Sequence, residues 1–236
     1  MNKISVIIPT LQKNTIILEK LISDIEKDDS VSEIILIDNS RLGYNFSHTK
    51  LRVIIPDEGK NLYVNQSWNL GVKEAKEDIF GIFNDDLLVC RNFCSRVLKL
   101  IKSLSDFGCL GMATTSVINT KVEKTPEETE FFLEPDLSER PYNWGTIIFS
   151  EKKIFTPIPD NIKIWCGDDF IRYSALDSGK KIYDLKNAVI YHTGGLSSRN
   201  PELTKIKHND VFELGKINER FKETTAYKTI EEKYSH

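Results

Sequence analysis

Short apolar runs alternate with stretches of helical periodicity, and this alternation limits the folds open to the chain more than any other feature. Ile4 to Ile8 is a β-branched run closed by Pro9; Leu18, Leu21, Ile22 and Ile25 follow at helical spacing, and Glu33 to Ile37 begins a second strand. The pattern continues through Arg52 to Ile55, a helical stretch marked by Val64, Trp68, Val72 and Ala75, and a strand from Ile79 to Phe83. Strands joined through helices lie parallel and bury both faces, so an α/β fold is expected: a Rossmann-like, mostly parallel but mixed central sheet flanked by helices. Arg91 to Leu104 reads as a further helix and Gly108 to Ala113 as a further strand. Thr114 to Arg140 turns to Thr, Glu and Pro with little period, which reads as an inserted surface loop able to cover a site. Order returns at Asn143 to Phe149, in a helix from Asp168 to Asp177 capped by Gly179, and in strands around Ile182 and Val189 to Tyr191. A helix is expected from Lys205 to Phe221. The expected organisation is one domain over 1–222, with a first half at 1–113, a second at 114–204, a C-terminal helix at 205–222 and a loose charged tail at 223–236.

Length and charge narrow the partners. A chain of 236 residues can bury a substantial core, and its net charge of −3 is spread among mixed signs, which argues against nucleic acid. No apolar run reaches the roughly 18 residues of a membrane span, and Met1-Asn2-Lys3 leads straight into a strand. A cytoplasmic location is expected, soluble or peripheral to a membrane. Cys90, Cys94, Cys109 and Cys166 lack paired spacing and read as reduced, mostly buried thiols.

Ligands of open α/β sheets bind beyond the carboxyl ends of the strands, and those ends carry Pro9-Thr10, Asp38-Asn39 and Asn84-Asp85-Asp86. Asp38 can accept from a ribose or a base, or it can brace its own turn. The first glycine is Gly43, so neither a Rossmann dinucleotide loop nor a Walker loop is present. A diphosphate bound here needs other neutralisation, and a divalent ion held by carboxylates supplies it.

These segments, with Asn69-Leu70-Gly71, Trp165-Cys166-Gly167-Asp168-Asp169 and Tyr191-His192-Thr193-Gly194-Gly195, together resemble a family 2 glycosyltransferase of the GT-A fold over most of residues 3–199. The resemblance implies transfer of a sugar from a nucleoside-diphosphate sugar to a hydroxyl on a glycan, lipid-linked or protein-linked acceptor, with inversion. It implies that Pro9, Thr10 and Asp38 hold the nucleoside, with Asn69, Asn84 and Asp85 also at the donor. Asn84-Asp85-Asp86 is similar to the family's Asp-x-Asp motif in an Asn-first form found in rhamnosyltransferase-like members. Asp86 then matches the metal ligand and His192 completes the site, with Gly194 and Gly195 beside the diphosphate. Imidazole suits Mn²⁺ better than Mg²⁺, so Mn²⁺ is the expected cofactor and Mg²⁺ the alternative.

The acidic pair supplies the catalytic base by the same resemblance: Asp169 is taken as the base and Asp168 as its alternative. Either also suits a helix N-terminus, where carboxylates complement unpaired N–H groups. Tyr142, Asn143, Trp144 and Gly145 fall where an acceptor-facing strand is expected, and Trp144 and Trp165 are candidate acceptor platforms, with core packing equally open for Trp144. Two other classes stand beside this reading. A sugar nucleotidyltransferase would call for glycines after the first strand, where Pro9-Thr10-Leu11-Gln12-Lys13 has none. A non-catalytic carbohydrate-binding protein on the same scaffold is suggested by Asn84 in place of an acid.

Overall fold

The computed structural model describes residues 3–57, 61–120, 124–135, 144–193 and 201–234. Its first unit is β1 (Ile4–Thr10), α1 (Thr15–Glu26) and β2 (Val31–Asp38). Asn14 caps α1 by accepting from the Ile17 N–H, and Ile17, Leu18, Leu21, Ile22 and Ile25 form its buried stripe. Burying each of these aliphatic side chains stabilises the fold by roughly 1.5–3 kcal/mol. Next come β3 (Leu51–Ile54), α2 (Tyr63–Glu74), β4 (Ile79–Phe83), β5 (Leu87–Leu88), α3 (Phe93–Ile101), β6 (Phe107–Met112) and β7 (Val117–Asn119). The chain continues with β8 (Phe132–Pro135), β9 (Ile147–Glu151), α4 (Gly167–Asp177), β10 (Lys181–Lys186) and β11 (Ile190–His192). It ends in α5 (Pro201–Ile217), α6 (Glu219–Lys222) and α7 (Thr225–Tyr234).

Eight strands form the main sheet in the order β3-β2-β1-β4-β9-β6-β10-β8. The β3-β2-β1-β4 block and the β6-β10 pair are parallel, while β9 runs antiparallel to β4 and β6, and β8 antiparallel to β10. The mixed, mostly parallel sheet expected from the sequence is present. Helices α1 and α3 cover one face, and α2, α4, α5, α6 and α7 the other. On the second face α2 lies directly on β1, because a Cβ at Gly71 would come within 2.3 Å of the Ile7 side chain. The α4 helix stops at Gly179, whose φ of +71° is open to glycine at no steric cost.

Three expectations need correction. The 114–140 segment is more than an inserted loop, since it contributes β7 and β8 at sheet edges. Both strands are short and half-exposed, so neither carries a hydrophobic period. The helix expected from 205 to 221 breaks at Asn218, whose backbone is extended. The tail beyond it is α7, and its Tyr227 and Ile230 are buried against the α2 side of the core.

Candidate active site

A second, three-stranded sheet, β5-β11-β7, builds the site. Its register sets His192 opposite Leu87 on one side and Asn119 on the other. Asp86 immediately precedes Leu87, so the pairing carries His192 to it: Nε2 lies 3.2 Å from Asp86 Oδ1, and the Thr193 N–H donates to the Asp86 carbonyl at 2.9 Å. His192 Nδ1 lies 3.0 Å from Asn119 Oδ1. Donation from Nδ1–H to that oxygen leaves the Nε2 lone pair facing a carboxylate, an arrangement suited to a cation between them.

Asp85 turns the other way. Its Oδ2 accepts from Thr10 Oγ1 at 2.6 Å, which ties the end of β1 to the loop after β4. Removal from water raises its pKa; the Thr10 hydroxyl opposes the shift and the neighbouring Asp86 adds to it. Asp85 is therefore held in a hydrogen-bonded bridge, while Asp86 faces the histidine. Asn84 is anchored through its backbone N–H to the Thr146 carbonyl at 3.2 Å.

Thr10 is the in-register partner of Asp38, and Pro9 of Ile37, so the polar ends of β1 and β2 lie side by side. The Asp38 carboxylate is buried, and it accepts from Ser40 N and Oγ, Arg41 N and Gly43 N, at 2.9, 2.5, 3.2 and 3.1 Å. Burial alone would raise its pKa, but the bonds from Ser40, Gln12 and Gly43 outweigh this and hold it below the usual carboxylate value. The turn-bracing role left open for Asp38 is thus occupied, and the groups it offers the crevice are the turns it shapes. Gln12 Nε2 closes the same corner by donating to the Gly43 carbonyl at 2.9 Å.

The loop that follows is strapped to α1 through His48, whose ring nitrogens sit 2.9 Å from both Glu19 and Glu26, with Tyr44 donating to Glu19 at 2.5 Å. Burial would lower the His48 pKa, but the two carboxylates prevail and raise it above 6.5. Burial would raise that of Glu26, but bonds from His48, Lys50 and Thr49 bring it down from 4.5 to about 2. A raised histidine pKa contributes stability below 6.5 and loses it as pH climbs through the folded value; a depressed glutamate contributes above 4.5 and loses it toward about 2. The strap is complete between these limits. Amide exchange at 44–50, corrected for intrinsic rate, is expected to rise as pH climbs through the folded His48 value in the native chain and to lose that pH dependence in His48→Gln.

On the far wall Asp168 and Asp169 open α4 and separate in environment. Asp169 is buried, and its Oδ1 lies 3.8 Å from Arg172 Nη1, the guanidinium of which stacks over Trp144 at 5.4 Å. Asp168 is only partly buried and packs on Gly145, where a Cβ would come within 2.5 Å of its Oδ2. Gly145 and Thr146 adjoin the anchor of Asn84, so Asp168 belongs to the same rim as the acidic loop. Gly167 is demanded by closeness as well, since a Cβ there would meet Asn65 Oδ1 at 2.2 Å.

Two expected contacts are not supported by these surroundings. Trp144 is fully buried, with Nε1 donating to Asp184 at 3.1 Å, so it takes the core role and offers no face to an acceptor. Asn69 is engaged throughout: Nδ2 donates to Gln66 Oε1 and the Ile158 carbonyl, and Oδ1 accepts from Ile158 N, which pins α2 to the 158 segment rather than leaving an amide for a nucleotide. Trp165 is half-buried just before α4. Tyr142, Asn143, Gly194 and Gly195 lie outside the described residues. Sequence reasoning missed Asn119 and Gln12, which act through strand register and a loop hydrogen bond and carry no motif.

Among the described residues no group of three or more His, Cys, Asp or Glu side chains is close enough to hold a metal unaided. Asp86 and His192 offer two donors, which fits an ion whose remaining positions are filled by a ligand's phosphate oxygens and water. No described helix is long and apolar enough to cross a membrane. All four cysteines are buried, and none is joined in a disulfide.

Comparison with known proteins bears on the family and the fold. The sequence model described as glycosyl transferase family 2 matches residues 5–153. No curated protein matches the chain by sequence. Among solved structures, S. aureus TarS 1-349 superposes with a TM-score of 0.58 at 15% identity, covering 99% of this chain and 72% of that one. The mannosyltransferase PcManGT from Pyrobaculum calidifontis, in complex with GDP-Man and Mn²⁺, gives 0.60 at 12% identity over 92% of this chain and 64% of that one. TarS 1-349 in complex with UDP gives 0.59 at 15% identity over 90% of this chain and 65% of that one. The latter two are thus spanned for slightly under two thirds of their length. At these identities the likeness establishes the fold, a GT-A-type mixed α/β sheet flanked by helices.

Proposed function

The chain belongs to glycosyl transferase family 2, and from that premise we propose that it is a metal-dependent hexosyltransferase that moves a sugar from a nucleoside-diphosphate donor to a hydroxyl acceptor with inversion. The observation that carries the reading is the meeting of Asp86 and His192, 106 positions apart, with Nε2 and Oδ1 separated by 3.2 Å at the carboxyl-end rim of the sheet. The UDP of one structural relative and the GDP-Man and Mn²⁺ of another support a nucleotide-sugar donor and a divalent ion.

Each residue then has a role in the half-site it occupies. The Asp38 turn and the Thr10–Asp85 bridge shape the nucleoside end of the crevice. Asp86 and His192 would hold the ion, with the imidazole favouring Mn²⁺ over Mg²⁺. When bound, that ion neutralises charge developing on the diphosphate. Asp168 is preferred over Asp169 as the base, because Asp169 is buried against Arg172 whereas Asp168 keeps access to solvent and hence to an acceptor. Asp168 takes the acceptor hydroxyl proton as that oxygen bonds to the anomeric carbon; the carbon–diphosphate bond breaks and nucleoside diphosphate leaves. Residues 1–113 form the donor half and 114–204 the acceptor half of one domain. The acceptor is a glycan, lipid-linked or protein-linked hydroxyl, and the Asn-first acidic motif is that of rhamnosyltransferase-like members.

A thermal-shift panel of UDP-, GDP- and dTDP-sugars, with and without Mn²⁺, tests this. Ligand at a hundred times its Kd stabilises the native state by about 2.7 kcal/mol, so a Mn²⁺-dependent rise of several degrees with one nucleotide is expected. No response to any nucleotide sugar would count against the reading.

A further inference from the structure

The turn that delivers α4 to the site is fixed from a distant helix. Asp210 of α5 is fully buried, and its carboxylate collects three consecutive backbone donors: Oδ1 accepts from Lys163 N at 2.9 Å, and Oδ2 from Ile164 N at 2.8 Å and Trp165 N at 2.9 Å. The carbonyls of the same turn are held from the opposite side by Asn65 of α2. Its backbone N–H donates to the Lys163 carbonyl at 2.9 Å, and its Nδ2 to those of Ile162 and Trp165 at 3.1 and 3.0 Å.

The clamp ends where α4 begins. Cys166 follows in the left-handed region at φ +63°, Gly167 packs onto Asn65 and Trp68 with no room for a Cβ, and Asp168 comes next, against Gly145. From 162 to 168 the backbone therefore has no slack. A buried carboxylate is an expensive way to close a turn, since well-packed apolar residues often serve stability equally well. What it supplies beyond stability is direction: three N–H vectors converging on one group admit a single orientation of the turn.

We propose that Asp210 is a positioning residue for the base at Asp168, holding the 163–165 turn so that the first residues of α4 enter the crevice at a fixed place. The inference rests on the transferase reading and on Asp168 as its base. It brings α5, which lies beyond the 5–153 region matched by the family model, into the working machinery of the site. Misplacing a reacting group by about 1 Å costs on the order of a hundredfold in rate without touching the groups that bind the donor.

The test uses Asp210→Asn and Asp210→Ala in the full chain. The amide variant keeps one acceptor oxygen and can retain the two bonds to Ile164 and Trp165, whereas alanine loses all three. Expected is a graded loss of kcat, about tenfold for Asn and about a hundredfold for Ala, with donor KM and nucleotide affinity within about twofold of native. Amide exchange should rise at 163–168 in the same order, and the apparent pKa of the kcat profile should move. Native kcat in a chain whose 163–168 amides have loosened would overturn the proposal and leave the transferase reading standing. Parallel loss of nucleotide affinity and melting temperature would also overturn it, by showing a general structural role. A native chain that binds nucleotide but turns over no donor sinks the transferase reading, and this proposal with it.

Discussion

Asp86→Ala is expected to lower kcat/KM by roughly a thousandfold and to abolish the Mn²⁺-dependent part of donor binding, since a ligand-held ion contributes several kcal/mol to stabilising the leaving diphosphate. The size of the effect follows from how little redundancy the acidic loop has. Asn84 carries no charge, and Asp85 is spent on Thr10 at 2.6 Å. Asp86 alone is aimed at His192. A titration of donor nucleotide with and without Mn²⁺ separates the two contributions: metal-independent affinity should survive in the variant, because the Asp38 turn is untouched, and the enhancement by Mn²⁺ should vanish. Asp85→Asn provides the contrast, with a smaller loss that acts through the Thr10 bridge. Equal damage from both substitutions would mean that the two carboxylates share one task, contrary to their opposite orientations.

The acidic pair yields the second large effect, and here the two neighbours are expected to fail differently. Asp168→Asn should cut kcat by about 10²- to 10⁴-fold, the usual contribution of a positioned general base, with donor affinity and melting temperature near native. Asp169→Ala should instead cost stability on the order of 3 kcal/mol, because it breaks a buried ion pair with the Arg172 guanidinium. In a chain of this size that corresponds to a drop of roughly 6–12 °C in melting temperature. Initial rates and thermal melts on the same two preparations decide the assignment. A cool-stable Asp169→Ala protein with no turnover, beside an active Asp168→Asn, would restore Asp169 as the base.

Much of the β1-to-β4 half was legible in the sequence because that half is local. Each of β1, β2 and β4 is an apolar run that ends in a polar group, so period and punctuation together place Thr10, Asp38 and Asn84-Asp85-Asp86 at one edge of a parallel sheet. Gly179 closed α4 as expected, for the steric reason that only glycine enters its conformation freely. What was not legible is what depends on pairing between distant segments. Strands β7 and β8 are edge strands of three and four residues, too short and too exposed to show a period. Yet β7 is what places Asn119 against the His192 ring. Trp144 was open to two roles because an aromatic side chain serves a core and a sugar equally well, and only its complete burial decides. The pair Asp168-Asp169 was ambiguous for a similar reason, since helix capping and proton abstraction both call for acids. Asp210 gave no signal at all, because its partners are backbone N–H groups that any sequence would supply.

In the proposed mechanism Asp86 and His192 form one half of a cation site whose other half is the donor's diphosphate. Electron paramagnetic resonance of Mn²⁺ titrated into the chain, with and without UDP or GDP, tests it most directly. Weak binding of the ion alone is expected, with tighter binding when the recognised nucleotide is present and comparable loss of that gain in Asp86→Ala and His192→Ala. Binding of Mn²⁺ that is indifferent to nucleotide, or that survives both substitutions, would contradict it.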